Sequence, residues 1–523
     1  MNIIESIISS VSPKTAYKRE VYRQKCRTIR EISNSGYDEG GASYRKNSTK
    51  GWNARSESPQ HDIDRNLNTL RQRSRNLYMT APLATSALRS SRTNCIGSGL
   101  ILKPIIDSKF LGLDQDEADK LKQQICREWK IWAESKFCDN ARQNNFYELQ
   151  QIAFLAWLMN GDALGIIRYD QEYEFQPYQL RIKLIESDKL CSPGSVSEEY
   201  YHEIKEKDTG NRIVNGIEID NNGAVVAYHI CNSYSSDDTF SKREWVRVEA
   251  FGKSTGNPNI IHVFDAERCE QYRGVPFLAP VIETLKQLTR YQEAEIMAAV
   301  INGMFSVFIK TEDGDDNVDF DGIDEDYDTK DTVYENDSDY KIGPGVINYL
   351  KEGESIEIAD AKRPGNNFDA FVSSMCKYIG AALEIPYEIL MKSFTASYSA
   401  SRGALLEAWK SFKTRRTWFA NDFCKPIYEI WLSEGVAKGR INCPGYFTDP
   451  CIRRAYSGSD WIGPAPGQLD PVKEAQGAEL RIKNGFSTRE TEAAEINGSS
   501  FENNVEQLKT ENEKLYKAQV KEE

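Results

Sequence analysis

The chain has 523 residues, of which 40% are hydrophobic and 28% are charged, so it is long and apolar enough to form several buried cores. It carries no apolar run long enough to cross a bilayer, and its N-terminus lacks a basic leader and a cleavage site, so we expect neither a membrane protein nor a signal peptide. The eleven cysteines are scattered and the four histidines lie far apart, which indicates reduced thiols made in a cytosol and argues against a histidine-based metal site or triad.

The net charge of −13 comes from one segment rather than from the whole chain. Residues 312–340 contain fourteen Asp or Glu residues and one Lys, which leaves the remainder close to neutral. The first 75 residues are the opposite, with fifteen Lys or Arg residues against eight Asp or Glu. Because charge blocks of this kind often mark interaction segments, the sequence predicts a basic N-terminal arm and an acidic insertion.

The chain begins with a short apolar stretch, 1–14, which predicts an amphipathic helix. A segment rich in Gly, Ser and Asn over 31–62 predicts a loop or flexible arm. Asp62 or Asp64 is expected to cap the helix that follows, because leucines then recur at helical spacing.

Residues 76–270 are predicted to form a mixed α/β body. Three helices are expected, from Pro82 to near Gly97, over 114–136 and over 146–160. The expected strands are 162–170, 179–186, two strands within 212–230 around the tight turn Asn221-Asn222-Gly223, and 259–264.

Long helices dominate after Gly274. Pro280 lies in a first turn and no breaker occurs before Gly303, which predicts a helix of about 24 residues, on the order of 35 Å long. A strand over 306–311, the acidic segment and two strands within 345–360 follow. A second helix is expected to start at Asn366–Asn367 and to end before Pro386.

A small polar loop, KSFTASYSASR, then begins at Lys392 and leads into a third helix. The loop lacks the Gly and Pro residues of a simple turn, and only Phe394, Tyr398 and Arg402 stand out among its Ser, Thr and Ala residues. The helix is expected to start near Ser401 and to reach or pass Pro426, with its large apolar residues on one side.

The C-terminal segment 469–496 predicts a helix, a loop and a second helix. The last 20 residues are charged and poor in apolar residues, so we expect them to be frayed or disordered.

The stretch FGKST, 251–255, imitates the end of a phosphate-binding loop. Such a loop needs a glycine five residues before Gly252, where this chain has Arg247, and it needs a helix where Asn257 and Pro258 follow. The backbone N–H groups that would hold a phosphate are therefore not expected to converge, and the stretch is interpreted as a polar loop. No other catalytic motif is visible, so nothing in the residues argues for an enzyme.

The stretch 317–328 imitates a calcium-binding loop, with Asp319, Asp321 and Asp328 at ligand positions. It departs from the pattern because it begins with Asn, ends with Asp in place of the bidentate Glu, and has acidic rather than helical flanks. We therefore expect a solvated acidic loop without a metal site. Weak divalent-cation binding is the alternative.

Several phrases, taken in order, resemble the lambda-type family of phage portal proteins over about residues 60–500. They are NGIEIDNNGAVVAYHI, AERCEQYRGVPFLAPVIETLKQLTRYQEAEIMAA, FVSSMCKYIGAALEIPYEIL leading to SYSASRGALLEAW, and GPAPGQLDPVKEAQGAELRIKNGFSTRETEAAE. The N-terminal arm and the acidic insertion depart from the family pattern. The resemblance implies an α+β portal fold with a mixed α/β wing, long stem helices, a small α/β clip and a mainly helical C-terminal crown.

The resemblance also implies an order of domains along the chain. The expected parts are a basic, partly flexible arm (1–75), the wing (76–270), a stem helix (271–303), the clip with its acidic insertion (304–366), the second stem helix (367–386), a tunnel loop (387–402), a long helix of wing or crown (403–440) and the crown with its charged tail (441–523).

By the same resemblance, the loop would face duplex DNA in a central channel. Lys and Arg that grip phosphates add affinity through counterion release, whereas Ser, Thr and Ala offer weak, sequence-blind contacts that let DNA slide. The tunnel-loop candidates are Lys392, Ser393, Phe394, Thr395, Ser397, Tyr398, Ser399 and Arg402, and the stem candidates are Lys286, Arg290 and Lys377. Arg402 is expected to brace the loop against a neighbouring subunit, and each stem cation could instead be solvated or paired between subunits.

The implied protein is a homo-oligomeric ring, a dodecamer in the family, at one capsid vertex of the virion and assembled in the host cytoplasm. Its implied partners are double-stranded DNA without sequence specificity, terminase, the major capsid or scaffold protein and a head-tail adaptor, with no cofactor and no membrane. Two alternatives remain: a minor virion protein that uses the acidic segment to hold a basic partner, and a packaging enzyme.

Overall fold

The structure is a computed structural model with two compact units, Met1–Ser58 and Pro59–Glu523. It describes residues 12–32, 47–49, 51–52, 54–170, 175–193, 204–206, 209–234, 243–304, 308–311, 354–357, 368–394, 397–467 and 470–519. The first unit contains helix α1, Pro13–Ile32. The helix expected over 1–14 lies almost entirely outside the described residues, and so does the acidic insertion.

The second unit is built mainly from helices. In chain order they are α2 (Arg65–Thr80), α3 (Pro82–Cys95), α4 (Ser108–Leu111), α5 (Gln115–Ala133), α6 (Phe146–Asn160), α7 (Ile282–Met304), α8 (Phe368–Ala382), α9 (Tyr387–Met391), α10 (Tyr398–Phe419), α11 (Lys425–Ala437), α12 (Pro450–Tyr456), α13 (Pro471–Lys483), α14 (Arg489–Asn497) and α15 (Phe501–Gln519).

The strands pair antiparallel in small sheets. They are β1 (Ile101–Ile105), β2 (Asp162–Tyr169), β3 (Leu180–Ile185), β4 (Ile204–Lys205), β5 (Arg212–Val214), β6 (Ile217–Ile219), β7 (Val225–Cys231), β8 (Trp245–Glu249), β9 (Ile260–Phe264), β10 (Phe308–Thr311), β11 (Glu354–Glu357) and β12 (Gly458–Ile462). Strand order is β3-β2-β9 in one sheet and β4-β5-β6-β7-β8 in another, while β1 pairs with β12 and β10 with β11. The sheets and helices together confirm the α+β class.

Local sequence signals explain where the helices begin and end. Pro82 is the first residue of α3, where its missing N–H group has no intrahelical partner to lose. Asn145 starts α6 with a capping box, since its Oδ1 accepts from the N–H of Glu148 at 2.9 Å and Glu148 Oε2 accepts from the N–H of Asn145 at 2.8 Å. Gly161 ends the same helix at a φ of 86°, a value that favours glycine.

The main core joins the two halves of the second unit. Its buried residues run from Leu77 to Tyr456 along the chain. Trp129 of α5 lies at its centre, with its ring centroid 4.9 Å from Trp132 and 5.0 Å from Trp431 of α11. Edge-to-face aromatic packing of this kind adds to the burial of the rings. A smaller core lies under the five-stranded sheet, where Val214 and neighbouring strand residues are buried.

Most of the predicted elements are found, but the segment 212–230 differs. It forms three strands, not two, because a tight turn at Asn215 and Gly216 separates β5 from β6. Both residues have positive φ, 44° and 85°, as a two-residue hairpin turn of this kind requires. The turn at Asn221-Asn222-Gly223 then separates β6 from β7 as expected.

Two further expectations are wrong. The side chains of Asp62 and Asp64 do not cap α2, because a π-type turn, Gln60–Asp64, runs directly into the helix and leaves Asp64 in a helical conformation. The last 20 residues are not disordered through most of their length, because α15 continues to Gln519.

Candidate functional site

The two long helices α7 and α8 pack against each other. Tyr291 of α7 stacks on Phe368 of α8 with ring centroids 5.7 Å apart, and it meets Phe371 edge-on at 4.9 Å. Leu285 near the start of α7 and Ile379 near the end of α8 are both buried in the main core. The pair therefore leaves the core as one packed unit, and α7, at 23 residues, is on the order of 35 Å long.

The three stem cations predicted from the sequence lie on these helices. Lys286 and Arg290 are both exposed on α7 and lie one turn apart, so they share a face of the helix. Lys377 is exposed on α8, and its Nζ lies 5.6 Å from the ring centroid of Tyr387 on α9. This distance allows a cation–π contact, which links the second stem helix to the element that follows it.

The sequence predicts a loop over 387–402, but the small polar loop in the structure is shorter than this range. Helix α9 occupies 387–391, and α10 begins at Tyr398 rather than near Ser401. Lys392 ends α9 in a left-handed conformation with a φ of 53°, and the Ser397 Oγ accepts from the N–H of Ala400 at 3.4 Å as the first cap of α10. The connection between the helices is therefore 392–397.

The predicted loop residues divide between this connection and α10. In the connection, Lys392 and Ser397 are exposed, Ser393 is half-buried and Phe394 is 56% exposed. Thr395 lies outside the described residues. Tyr398 and Ser399 form the first turn of α10, where only their backbone is described, and Arg402 follows, half-buried, in the next turn.

Two arginines that the sequence analysis did not single out hold α10 in place. Arg416 donates from Nε to the carbonyl of Cys95 at 2.8 Å, and from Nη2 to the carbonyls of Asn94 and Pro464 at 2.9 and 2.7 Å. It thereby satisfies carbonyl groups at the end of α3, which have no partner within their own helix. Burial lowers the pKa of Arg416.

Arg415 connects α10 to the residues that directly follow α8. Its Nη2 lies 2.9 Å from Glu384 Oε2, and its guanidinium carbon lies 4.5 Å from the ring centroid of Phe277. Glu384 has a φ of 54°, in the left-handed region, just after α8 ends. On the other side of the connection, Ser86 Oγ donates to the carbonyl of Leu390 at 2.8 Å. The connection is thus short and carried on two anchored helices.

A buried cluster of charges fixes the segment that leads into α7. Asp162 at the start of β2 is inaccessible to solvent and accepts from Arg71 of α2, from Arg273 Nε at 2.9 Å and from the N–H of Gly274 at 2.6 Å. His262 Nε2 lies 3.2 Å from the same carboxylate. Arg273 and Gly274 lie just before α7, so this cluster connects the stem to α2 and to the three-stranded sheet.

Electrostatics in this cluster favour a charged Asp162. Burial alone would raise its pKa, but the two guanidinium groups of Arg273 and Arg71 and the hydrogen bond from His262 hold the pKa well below its usual range. Burial lowers the pKa of Arg71 to about 10. Nearby, burial raises the pKa of Asp64 to about 6, although Arg273 and a hydrogen bond from Asn215 oppose this shift.

Glu206, Glu218 and His229 bring three potential metal ligands together, with ligand atoms within 4.8 Å of one another. Both oxygens of Glu218 are already occupied, since Arg247 donates to them from Nε at 2.7 Å and from Nη2 at 3.1 Å. A guanidinium at this distance neutralises the carboxylate that a metal ion would need. The arrangement is therefore a buried ion-pair network of the five-stranded sheet. Asp319, Asp321 and Asp328 lie outside the described residues.

The stretch 251–255 connects two strands and does not form a phosphate-binding loop. Phe251 bridges to Pro258, and the N–H of Gly252 donates to the carbonyl of Asn257 at 2.9 Å. Lys253 points outward at 85% side-chain exposure and pairs with Glu249 at 3.1 Å. The expectation of a polar loop is confirmed, because the chain continues into β9 and not into a helix.

Comparison with known proteins gives a consistent result over most of the chain. The family model described as phage portal protein, lambda family, matches residues 45–416. The chain is 25% identical over 487 residues to the portal protein of Escherichia phage N15, with 89% of this chain and 88% of that protein covered. It is 23% identical over 482 residues to portal protein B of Escherichia phage lambda, with 89% and 87% covered. A probable portal protein of Halomonas phage phiHAP-1 is 24% identical over 442 residues, with 83% and 78% covered.

Among the solved structures with similarity to the chain are chains from gene transfer agent particles. A chain of the native virion has a TM-score of 0.41 at 12% identity, with 82% of this chain and 92% of that chain covered. A chain from the neck of the empty particle, computed with C6 symmetry, has a TM-score of 0.43 at 12% identity, with 80% and 92% covered.

Within the described residues, no helix combines the length and the apolar character needed to span a bilayer.

The family model covers well over half of the sequence, from residue 45 to residue 416 within α10, and it includes α7, α8 and the connection 392–397. The chain therefore belongs to the lambda family of phage portal proteins.

Proposed function

We propose that the protein forms a ring at one vertex of a phage capsid and that duplex DNA passes through the centre of this ring during packaging and ejection. The observation that carries the proposal is the short connection 392–397, which follows α8 and the short helix α9 and is held between two anchored helices, α9 and α10. A channel wall must keep its shape while DNA moves past it. Anchors on both sides of a short polar connection meet this need.

The chemistry of the connection suits sliding better than binding. Its exposed residues include Ser397, Phe394 and one cation, Lys392. Each phosphate that a cation neutralises adds affinity through the release of counterions, so a wall dense in cations would retard DNA. We also assign the exposed cations Lys286 and Arg290 on α7 to the channel, where they would give the stem wall a salt-dependent attraction for the phosphates.

By this proposal the described elements divide into the parts of a portal. Helices α7 and α8 are the stem, the β10–β11 pair belongs to the clip, and the body that holds the main core combines wing and crown. Terminase, the capsid or scaffold protein and the head-tail adaptor are the proposed partners. The family is structural, so we assign the energy for packaging to the terminase and not to this chain.

A charge series at Phe394 tests the channel assignment. Phe394→Lys adds one cation per subunit, so a ring of about twelve copies would present about twelve new cations to the phosphates, and the salt dependence of DNA passage should steepen. Packaged DNA length, measured in vitro across a salt series with the matching terminase, should fall at low salt and recover at high salt.

The control is Phe394→Gln, which removes the aromatic side chain without adding charge. Because Phe394 is more than half exposed, both variants should fold and assemble like the parent protein. If Phe394→Lys packages DNA with the salt dependence of Phe394→Gln, the connection 392–397 does not face DNA, and the channel assignment fails.

A further inference from the structure

Two apolar surfaces near the C-terminus are exposed and are not covered by any part of the chain that the structure describes. The first is on α15, where Val505, Leu508 and Leu515 are between 46% and 60% exposed. The second is on and just after α13, where Val472, Leu480 and Phe486 are between 58% and 81% exposed. We call them the α15 stripe and the α13 patch. Both lie beyond residue 416, where the match to the family model ends.

The α15 stripe has the spacing of a helix that packs along one side. Val505, Leu508, Asn512 and Leu515 follow one another at intervals of three and four residues, so they lie within about 100° of the helix circumference. Every residue from 505 to 517 is exposed. Most of the stability of a helix in a protein comes from the packing of its apolar face, so the stripe is expected to be covered in the assembled protein.

Helix α14 holds both surfaces on the body. Glu492 of α14 accepts from Arg481 of α13 at 2.8 and 2.6 Å. Glu490 lies 2.9 Å from Lys103 of β1, and Glu495 lies 3.0 Å from Lys413 of α10. The N–H of Phe501, the first residue of α15, donates to Glu490 Oε2 at 2.9 Å. The two surfaces therefore start from one helix that is fastened to the body at several points.

We infer that the α15 stripe of one subunit packs on the α13 patch of the next copy of this chain. This inference rests on the proposed ring. A closed ring uses a head-to-tail contact, which needs two different, complementary surfaces on each copy, whereas a two-fold contact needs only one surface and would leave the other exposed. The chain carries one such pair of surfaces in its C-terminal region.

The charges of the two helices are compatible with this contact. Helix α15 contains four acidic and three basic residues, while α13 contains two acidic and three basic residues. The helices thus carry small net charges of opposite sign, and no like-charge repulsion opposes their approach. Asn512 lies within the stripe, where a polar side chain in an apolar seam fixes the register of packing at a cost in stability.

Crosslinking in the full-length protein tests which surfaces meet. Among the cysteines whose side chains the structure describes, Cys269 and Cys451 are exposed, and the background replaces both with serine. In this background, Leu508→Cys combined with Leu480→Cys should give a ladder of oxidised multimers up to the full ring. Leu508→Cys alone should remain monomeric on a denaturing gel. A dimer from Leu508→Cys alone would mean that α15 pairs with α15, which would overturn the inference.

Acidic residues placed in the α15 stripe give a second readout. Leu508→Glu with Leu515→Glu should raise the concentration at which the ring dissociates at least tenfold, as measured by mass photometry. The matched control, Gln507→Glu with Thr510→Glu, adds the same charge on the opposite side of α15 and should leave dissociation unchanged. If the parent protein never forms a ring, the proposed function fails and the inference fails with it. If rings form but the double-cysteine protein gives no ladder, only the inference fails.

Discussion

At the scale of single residues, the most informative group is Asp64. Its pKa in the folded protein is about 6, above its ordinary value of 3.8, because burial disfavours the charged form. Between these two values the folded protein binds a proton that the unfolded chain releases, so this residue lowers stability as the pH rises through the window. At neutral pH the Asp64 carboxylate is charged and largely desolvated in the folded protein, which lowers the free energy of unfolding.

Asp64→Asn should therefore raise the melting temperature near pH 7.5 and change it little near pH 4, since the wild-type carboxyl is already neutral there. The shift corresponds to at most about 3 kcal/mol, and the partial exposure of the side chain will reduce it. Thermal unfolding at the two pH values measures the effect. Asp62→Asn is the control, because its ion pair with Arg268 is exposed and should contribute little at either pH. Equal shifts for both variants at both pH values would contradict the assignment.

Gly274 gives a second prediction at this scale. A Cβ atom placed there would lie 1.9 Å from the carbonyl oxygen of Gly161, a backbone atom that cannot move aside cheaply. Gly274→Ala should lower the free energy of unfolding by about 1–3 kcal/mol or more, as measured by denaturant titration. Gly403→Ala is the control, since a Cβ atom there meets nothing within 4 Å and the residue lies within α10. That substitution should be neutral or stabilising by roughly 0.5–1 kcal/mol, and a larger loss there than at Gly274 would show that this close contact does not constrain the fold.

At the scale of elements, the buried cluster around Asp162 joins the segment before α7 to α2 and to the three-stranded sheet. It contacts α2, β9 and the segment that precedes α7 through side chains that are almost wholly inaccessible. Buried ion pairs add little stability in comparison with apolar packing, but removing one partner leaves the other charges unpaired. The cluster therefore constrains the fold strongly even though its net contribution to stability is modest.

Asp162→Ala should reduce the free energy of unfolding by about 3–5 kcal/mol, because Arg71 and Arg273 would remain buried without their carboxylate. Glu407→Ala, which breaks an exposed ion pair with Lys410, should cost no more than about 0.5 kcal/mol. Chemical denaturation of both variants at neutral pH provides the comparison. A loss at Asp162 as small as that at Glu407 would show that the cluster is solvated.

The same elements show what the sequence can and cannot predict. The helices α3 and α7 were predictable, since Pro82 is the first residue of α3, Pro280 lies in a 3₁₀ turn that leads directly into α7, and no breaker follows either proline for several turns. The turn at Asn215-Gly216 was also marked by a strong signal, an Asn-Gly pair between apolar residues, but it was taken as part of one strand. The start of α10 was missed because Ser397, one small polar residue among several, proves to be its cap.

The buried cluster could not be predicted in the same way. Asp162 lies 91 residues from Arg71 and 111 residues from Arg273 in the chain, so only the tertiary fold brings the three together. The helical tail lies between these cases. Its apolar residues recur at helical spacing, but the many charges around them are equally typical of a disordered segment. Of the candidate site, the two long helices that carry Lys286, Arg290 and Lys377 were predicted, whereas the arginines that anchor α10 were not. The channel roles of these cations and of the loop residues stay predictions.

At the scale of the whole molecule, the second unit has one main core to which residues before α7 and residues after α8 both contribute. The main core combines residues on both sides of the stem in the sequence, from Leu77 to Tyr456, and β1 pairs with β12 across more than 350 positions of the chain. The chain thus leaves the body through α7, returns through α8 and completes the same core. This arrangement attaches α7, α8 and the connection 392–397 to one packed core, which fits the channel role proposed for them.

The central claim is that this chain assembles into a closed ring without help from nucleotide or partners. Mass photometry of the purified protein, with negative-stain images of the same sample, tests it most directly. A dodecamer of the 59.5 kDa chain would have a mass of about 714 kDa and would appear as a ring with a central hole. A monomer or dimer at every concentration tested, or an open filament in place of a ring, would contradict the account.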